Sequence, residues 1–392
     1  MSVLIPPKAL RSTLSSLFLA TVAGAALTAP PPDGGLADLQ ASVQVLISGT
    51  QPGTVLLPRP TLDTSAAVHA LLQKPLSGDT AVRIAVLNNP DLQVAMGAAG
   101  TSISDAVRSD NPAKVEMRQT ITVLSARAYK AWVSAVAAEQ SVRLLEEAKN
   151  TLEISGDLTR RMTQVGNVSK LTQARAQLAL SESAVALARS RSSALAAREN
   201  LTVVLGLWGA PAGYQLEAGL PALPKQAIEV PDVEAHALQA RADLRVARAQ
   251  WQLKQARATS PDADGLWDAV GDAASVRSVA VKLRSQAREV YFAYRTAFDI
   301  ARYLQVEVLP LRTFIHDELV LRYNGMLTSI FDVLADSQAR TMTSQAAVMA
   351  HRDFWLAHAD LQALLAGAPM EGLKSSASES AIAAPGAASA SH

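Results

Sequence analysis

Apolar residues recur along most of this chain at steps of three and four, the spacing that lines one face of a helix, while the alternation in twos that marks a half-buried strand is missing. The run from Val168 to Leu205 shows it best. Leu171, Ala174, Leu178, Ser181, Val185, Ala188, Ser192 and Leu195 form a coiled-coil seam, and half of these residues are small enough for close helix approach, as in broad helical layers or an α-barrel. An equally long pattern from about Arg118 to Gln164 precedes it. The two read as an antiparallel hairpin with arms of roughly 60 to 70 Å, at 1.5 Å per residue.

The break between the arms occurs twice in the sequence. "RMTQVGNVSKLTQARAQL" carries Gly166, "RYNGMLTSIFDVLADSQA" carries Gly325, and the two glycines are 159 positions apart. Upstream, Pro90, Asp91 and Leu92 of "NNPDL" match Ala242, Asp243 and Leu244, an offset of 152. Offsets so nearly equal imply a duplicated unit. Both glycines are expected at hairpin tips, supplying the positive φ that ends a helix tightly. The predicted fold is mainly all-α, built from two long antiparallel helical hairpins with little or no β-barrel. The chain divides into a first helical repeat at 78–206, a Pro-rich linker at 207–231 and a second repeat at 232–368. Ser77 to Thr80 can cap the first helix.

Both ends read differently. Lys8 and Arg11 precede an apolar run from Leu14 to Leu27 with small residues at Ala23, Ala25 and Ala26, the pattern of a secretory signal peptide over 1–26. No cysteine follows it for lipid attachment. Residues 27–77, rich in Pro, Gly and Thr, should run extended, and the Ser/Ala-rich tail at 369–392 is expected to be disordered. No later segment approaches the ~20 continuous apolar residues of a membrane helix.

Composition narrows the function. Of 392 residues 49% are hydrophobic and only 4% aromatic, which favours helices packed through small side chains; 36 basic against 35 acidic residues give no electrostatic footprint for nucleic acid. The absence of cysteine excludes disulfides and thiolate chemistry. No nucleophile, base and oxyanion set is recognisable and no cofactor-binding pattern occurs, so the chain is not read as an enzyme.

The duplicated order of an "NNPDL" helix, a long helix, a glycine tip, a return helix ending in "LTVVLG" or "LQALLAG" and a Pro-rich linker resembles the TolC family of outer-membrane efflux proteins. The resemblance is carried by Asn88, Asn89, Pro90, Asp91, Leu92, Gly166, Leu171, Leu205 and Gly206 in the first copy. In the second it is carried by Ala242, Asp243, Leu244, Tyr323, Gly325, Asp332, Val333, Leu334, Leu365 and Gly367. It implies a homotrimeric conduit that serves a periplasmic adaptor protein and an inner-membrane pump. An exported location follows, in the outer membrane or periplasm of a Gram-negative bacterium. It also implies that Asp332, in the "DVL" phrase beyond the second tip, lines a narrow entrance where a ring of carboxylates concentrates cations and raises at least one apparent pKa. The matching place for a second acid falls on Ala335.

One departure stands out. The family inserts a strand hairpin between the first two helices of each repeat, whereas "RSDNPAKVEMRQ" at 108–119 and "TSPDADGLWDAVGDAASVR" at 259–277 lack paired strand segments of about 9 to 11 residues and read as helix-turn-helix. A second reading therefore stands beside the conduit: a barrel-less helical periplasmic interaction protein that binds partners without conducting. The remaining candidates point to no chemistry. His351 and His358, seven apart with Asp353 and Asp360 nearby, read as a surface-helix face rather than a metal site. Adjacent Glu146 and Glu147 point about 100° apart and cannot share acid–base work.

Overall fold

The computed structural model describes residues 57–58, 64–104, 112–208, 214–257 and 263–369; the signal peptide read at 1–26 and the tail from 370 onward lie outside them. Among the described residues every regular element is helical, with one isolated bridge between Leu76 and Leu216. The segment 27–77, expected to be extended, contains helix α1 (Thr64–Leu72). Its nine residues hold neither Pro nor Gly, and Val68 is buried, so a short helix forms between the prolines at 60 and 75.

Helix α2 (Gly78–Asn88) starts where the sequence places a cap: the Ser77 hydroxyl accepts the Thr80 N–H. Ala81, Val82, Ile84, Ala85, Val86 and Leu87 are all buried, so α2 is apolar nearly all round and is enclosed by its neighbours. It breaks at Asn89, which the following proline drives to ψ 123°, and α3 (Pro90–Ser104) continues beyond. The second repeat copies this break. There α6 (Val233–Ala240) stops at Arg241, ψ 100°, before α7 (Ala242–Arg257), although no proline enforces it.

The first hairpin is α4 (Pro112–Gln164) and α5 (Lys170–Leu205), about 80 and 54 Å long. The second is made of α8 (Ala263–Tyr303), a π turn (Leu304–Val308) and α9 (Leu309–Asn324) on the way down, with α10 (Ile330–Leu365) returning. Seven residues, 105–111, separate α3 from α4, and five, 258–262, separate α7 from α8. Neither connection is long enough for two barrel strands of about 9 to 11 residues each.

The helices enclose two apolar cores. In the first, α2 packs on α4 and α5 around Trp132, Ile84, Leu87, Leu92, Leu201 and Leu205. In the second, α6, α8 and α10 enclose Tyr294, Phe298, Phe354, Leu361 and Leu364. Helices α4 and α10 join them: Trp355 packs against both cores, and Lys130 on α4, 7% exposed, lies 2.9 Å from Asp360 on α10. The Pro-rich linker binds across this seam. Leu76 N–H donates to the Gln215 carbonyl at 2.7 Å, the Pro221 carbonyl accepts from Trp355 Nε1 and the His351 ring, and Ile228 N–H donates to the Tyr294 hydroxyl.

Candidate functional site

The residues singled out in sequence lie at three places: the helix ends clasped by the "NNPDL" break, the two tips, and the long faces between. At the first, α5 ends at Gly206 with φ +66°, and its last carbonyls are taken by side chains of the break. Asn88 Nδ2 donates to the carbonyls of Leu205 and Gly206 at 3.0 and 2.8 Å, and Asn89 Nδ2 donates to that of Val204 at 3.0 Å. Asn89 Oδ1 meanwhile accepts the Leu92 N–H, capping α3. The asparagines of the motif are therefore a two-ended clasp between helices. A Cβ on Gly206 would stand 2.5 Å from the Asn88 carbonyl oxygen. The second repeat repeats the close approach, since a Cβ on Gly367, φ +83°, would stand 2.4 Å from the Ala240 carbonyl.

At the first tip Gly166 is left-handed, φ +80°. Gly166 N–H donates to Thr163 and Asn167 N–H to Met162, the paired bonds of a Schellman close. Ser169 then caps α5 through the Thr172 N–H. At the second tip the expected glycine does not take this role. Gly325 has φ −81°, and Met326, φ +58°, is the left-handed residue; Met326 N–H donates to Tyr323 and Leu327 N–H to Arg322. The reason is spacing. The left-handed residue must stand three places before the serine that caps the return helix, which is Gly166 before Ser169 but Met326 before Ser329. The matched serine caps carry the signal that the glycines obscured.

Asp332 lies in the first turn of α10 as the third residue of a capping box. Its N–H donates to the Ser329 hydroxyl at 3.3 Å. Its Oδ2 accepts from the Thr328 hydroxyl at 2.7 Å and from the Ser329 N–H and hydroxyl at 3.0 and 2.9 Å. The Thr328 hydroxyl, then Ser329, hold its carboxyl below the ordinary value. One turn on, Asp336 is buried at 7% exposure. Arg312 Nη1 stands 3.5 Å from its Oδ1 and His316 Nδ1 3.1 Å from its Oδ2, both reaching across from α9. Sequence reading passed over this cluster, because nothing local pairs residues 312 and 316 with 336.

The seam read along α5 does not join α5 to α4. Leu171, Leu178, Val185 and Leu195 each expose half or more of their surface, and α5 meets its own hairpin through another face that buries Leu187, Leu201 and Leu205. The second hairpin carries a matching outward stripe: Phe292, Ile300, Tyr303, Val306, Leu311, Phe314 and Leu321 are more than half exposed.

The histidines do not form the surface face the sequence suggested. His358 packs among Tyr294, Phe354 and Trp355 with its Nδ1 buried and unbonded, and burial pushes its pKa down. His351 is half-buried against Pro221, and Asp360 is committed to Lys130. Among the described residues no three His, Asp or Glu side chains converge to hold a metal ion, and no helix is long and apolar enough to cross a membrane. Glu146 pairs with Arg191 of α5 across the hairpin at 2.6 Å.

Duplicated helical hairpins, each clasped at its base by a helix break and closed at its tip by a Schellman turn, define a class of long helical-hairpin proteins. No family model and no curated protein matches the sequence. Among solved structures, CusC, described in terms of folding and transmembrane channel formation, is 11% identical; the match covers 83% of this chain and 95% of that one at a TM-score of 0.53. The outer-membrane channel OprN is 15% identical, over 82% of this chain and 99% of that one, at 0.54. The chain has the fold of the TolC-type outer-membrane channels.

Proposed function

We propose that the chain is the helical conduit component of an efflux or secretion assembly and closes into a homotrimer. The observation that carries this reading is the pair of outward apolar stripes, Leu171 to Leu195 on α5 and Phe292 to Leu321 on the second hairpin. At 1.5 Å per residue they run about 36 and 44 Å. Apolar surface of that length left in water is unfavourable. One stripe lies on each hairpin, so a head-to-tail contact between copies covers both, and such contacts close into a ring where the rotation between copies closes. The likeness in fold to CusC and OprN supports a tube rather than a layer. In the ring the tips form the periplasmic end, where an adaptor protein and an inner-membrane pump dock, and Asp332 stands at the entrance. The location is exported, at the outer membrane or in the periplasm.

The short connections at 105–111 and 258–262 favour a second reading, a barrel-less periplasmic interaction protein that assembles without conducting. Light scattering on the purified chain tests the conduit first: wild type should be trimeric, and Leu178→Glu with Phe314→Glu should be monomeric and still helical. A monomeric wild type would remove the conduit. Planar-bilayer recording then separates the two readings. Cation-selective steps that change in Asp332→Asn support conduction through this entrance, whereas a silent trimer supports the interaction protein.

A further inference from the structure

The long arms pack in the order α5, α4, α10 and then α8 with α9, which leaves α5 and α8 with α9 as the two free edges. In the duplicated unit α4 corresponds to α8 and α5 to α10, so the seam between α4 and α10 has a counterpart between α8 of one copy and α5 of the next. The seam inside the chain is crossed by Lys130 of α4 and Asp360 of α10, 2.9 Å apart. Asp360 stands seven residues before Gly367, and Glu199 seven before Gly206, each glycine left-handed just past its helix. Glu199 is thus the counterpart of Asp360, yet it is exposed.

Beyond it the edge of α5 stays apolar where nothing in the chain covers it: Val203 is 71% exposed and Trp208 91%. The facing edge carries a place for such residues. Between α6 and α8 lies a hollow of about 570 Å³ lined by Leu238, Arg284, Arg288, Tyr291 and Phe292. An adjoining hollow shares Leu238 and adds Arg245 and Arg248, so four arginines line the pair against two acids, Asp232 and Glu234. The heights agree. Counted from the tip glycines, Glu199 and Phe292 both stand at 33 residues, and Val203 and Arg288 both at 37. Those counts correspond to about 50 and 55 Å along the arms.

We infer that the base end of α5 in one copy docks into this hollow of the next, with Trp208 as its anchor. The indole covers the apolar floor at Leu238 and Phe292 and lies against the guanidiniums of Arg284 and Arg288, which an aromatic face attracts. Glu199 enters between Arg288 and Arg295, as Asp360 meets Lys130 inside the chain. A large aromatic seated in a desolvated hollow contributes far more than its share of an interface. The inference rests on the conduit reading and adds to its stripes a specific contact at the base of the hairpins, which fixes the register between copies.

The chain has no cysteine, so introduced pairs report without background. Val203→Cys with Arg288→Cys, treated with a short bis-maleimide as the full chain, should give covalent dimer and trimer bands. Val203→Cys with Leu311→Cys, whose heights differ by 23 residues, should give none. Trp208→Ala should raise the concentration at which the trimer dissociates by about tenfold or more, read by light scattering on dilution, while helicity is unchanged because the side chain is exposed. A wild-type trimer that fails to link 203 to 288, or links the control pair equally, overturns this contact and keeps the conduit. A trimer that dissociates no more readily in Trp208→Ala overturns the anchor. A monomeric wild type removes both the contact and the conduit.

Discussion

Gly206→Ala should be among the costliest single-methyl changes in this molecule, and the structure says how the cost divides. At φ +66° an L-residue gives up about 1 to 2 kcal/mol relative to glycine. The added Cβ would also stand 2.5 Å from the Asn88 carbonyl oxygen and 2.9 Å from the Pro90 ring. Neither can move aside, because Asn88 and Asn89 are bonded to the last carbonyls of α5. Overpacking against fixed backbone adds roughly 1 to 3 kcal/mol, so the total is about 2 to 5. Gly166→Ala is the internal control, since it has nearly the same dihedral, φ +80°, with no atom within 4 Å of the new Cβ. It should cost only the backbone share, about 1 to 2 kcal/mol. Urea unfolding followed by circular dichroism at 222 nm, on samples of one oligomeric state, measures both, with the slope checked for constancy. If Gly206→Ala proves no more damaging than Gly166→Ala, the clasp is loose and the account of the "NNPDL" motif is wrong.

Gly325→Ala should be neutral or stabilising by about 0.4 to 1 kcal/mol, because φ is −81° and the nearest atoms are 3.5 Å or more away. Met326→Gly should stabilise by about 1 kcal/mol through relief of the left-handed backbone; a loss in both variants would return the tip to Gly325. Lys130→Met should cost roughly 3 kcal/mol at neutral pH by leaving Asp360 buried and unpaired. Burial already raises the pKa of Asp360, and an acid raised in the folded state gains stability as pH falls toward its unfolded value. The variant should therefore recover on acidification, and a pH-independent deficit would contradict the pairing. Asp332, held low by the Thr328 and Ser329 hydrogen bonds, behaves oppositely. Its contribution is present above its unfolded pKa of 3.8 and is lost as pH falls below that through the folded value. Carboxyl NMR of wild type and Thr328→Val should show Asp332 titrating higher in the variant, and identical titrations would sever the link to the cap.

By itself the sequence determined what repeats locally. The three-and-four spacing set the helices, Pro90, Gly166 and Gly206 set breaks in the first repeat, and Ser77, Ser169 and Ser329 set where helices restart, because each acts within a few residues of chain. The duplication was legible for the same reason. What the tertiary structure decided is which partner each face and charge meets. The seam from Leu171 to Leu195 has the periodicity of a buried contact, yet it faces outward, since periodicity names a face and says nothing of its neighbour. Asp332 and Asp336 look alike in sequence. One is an exposed cap and the other a buried anchor, because only α9, folded back on α10, brings Arg312 and His316 across to the second. At the tip, glycine's freedom misled: the left-handed position is set by the chain length needed to reach the serine cap, so it fell on Met326, and the closing geometry of the turn outweighed the preference of the residue.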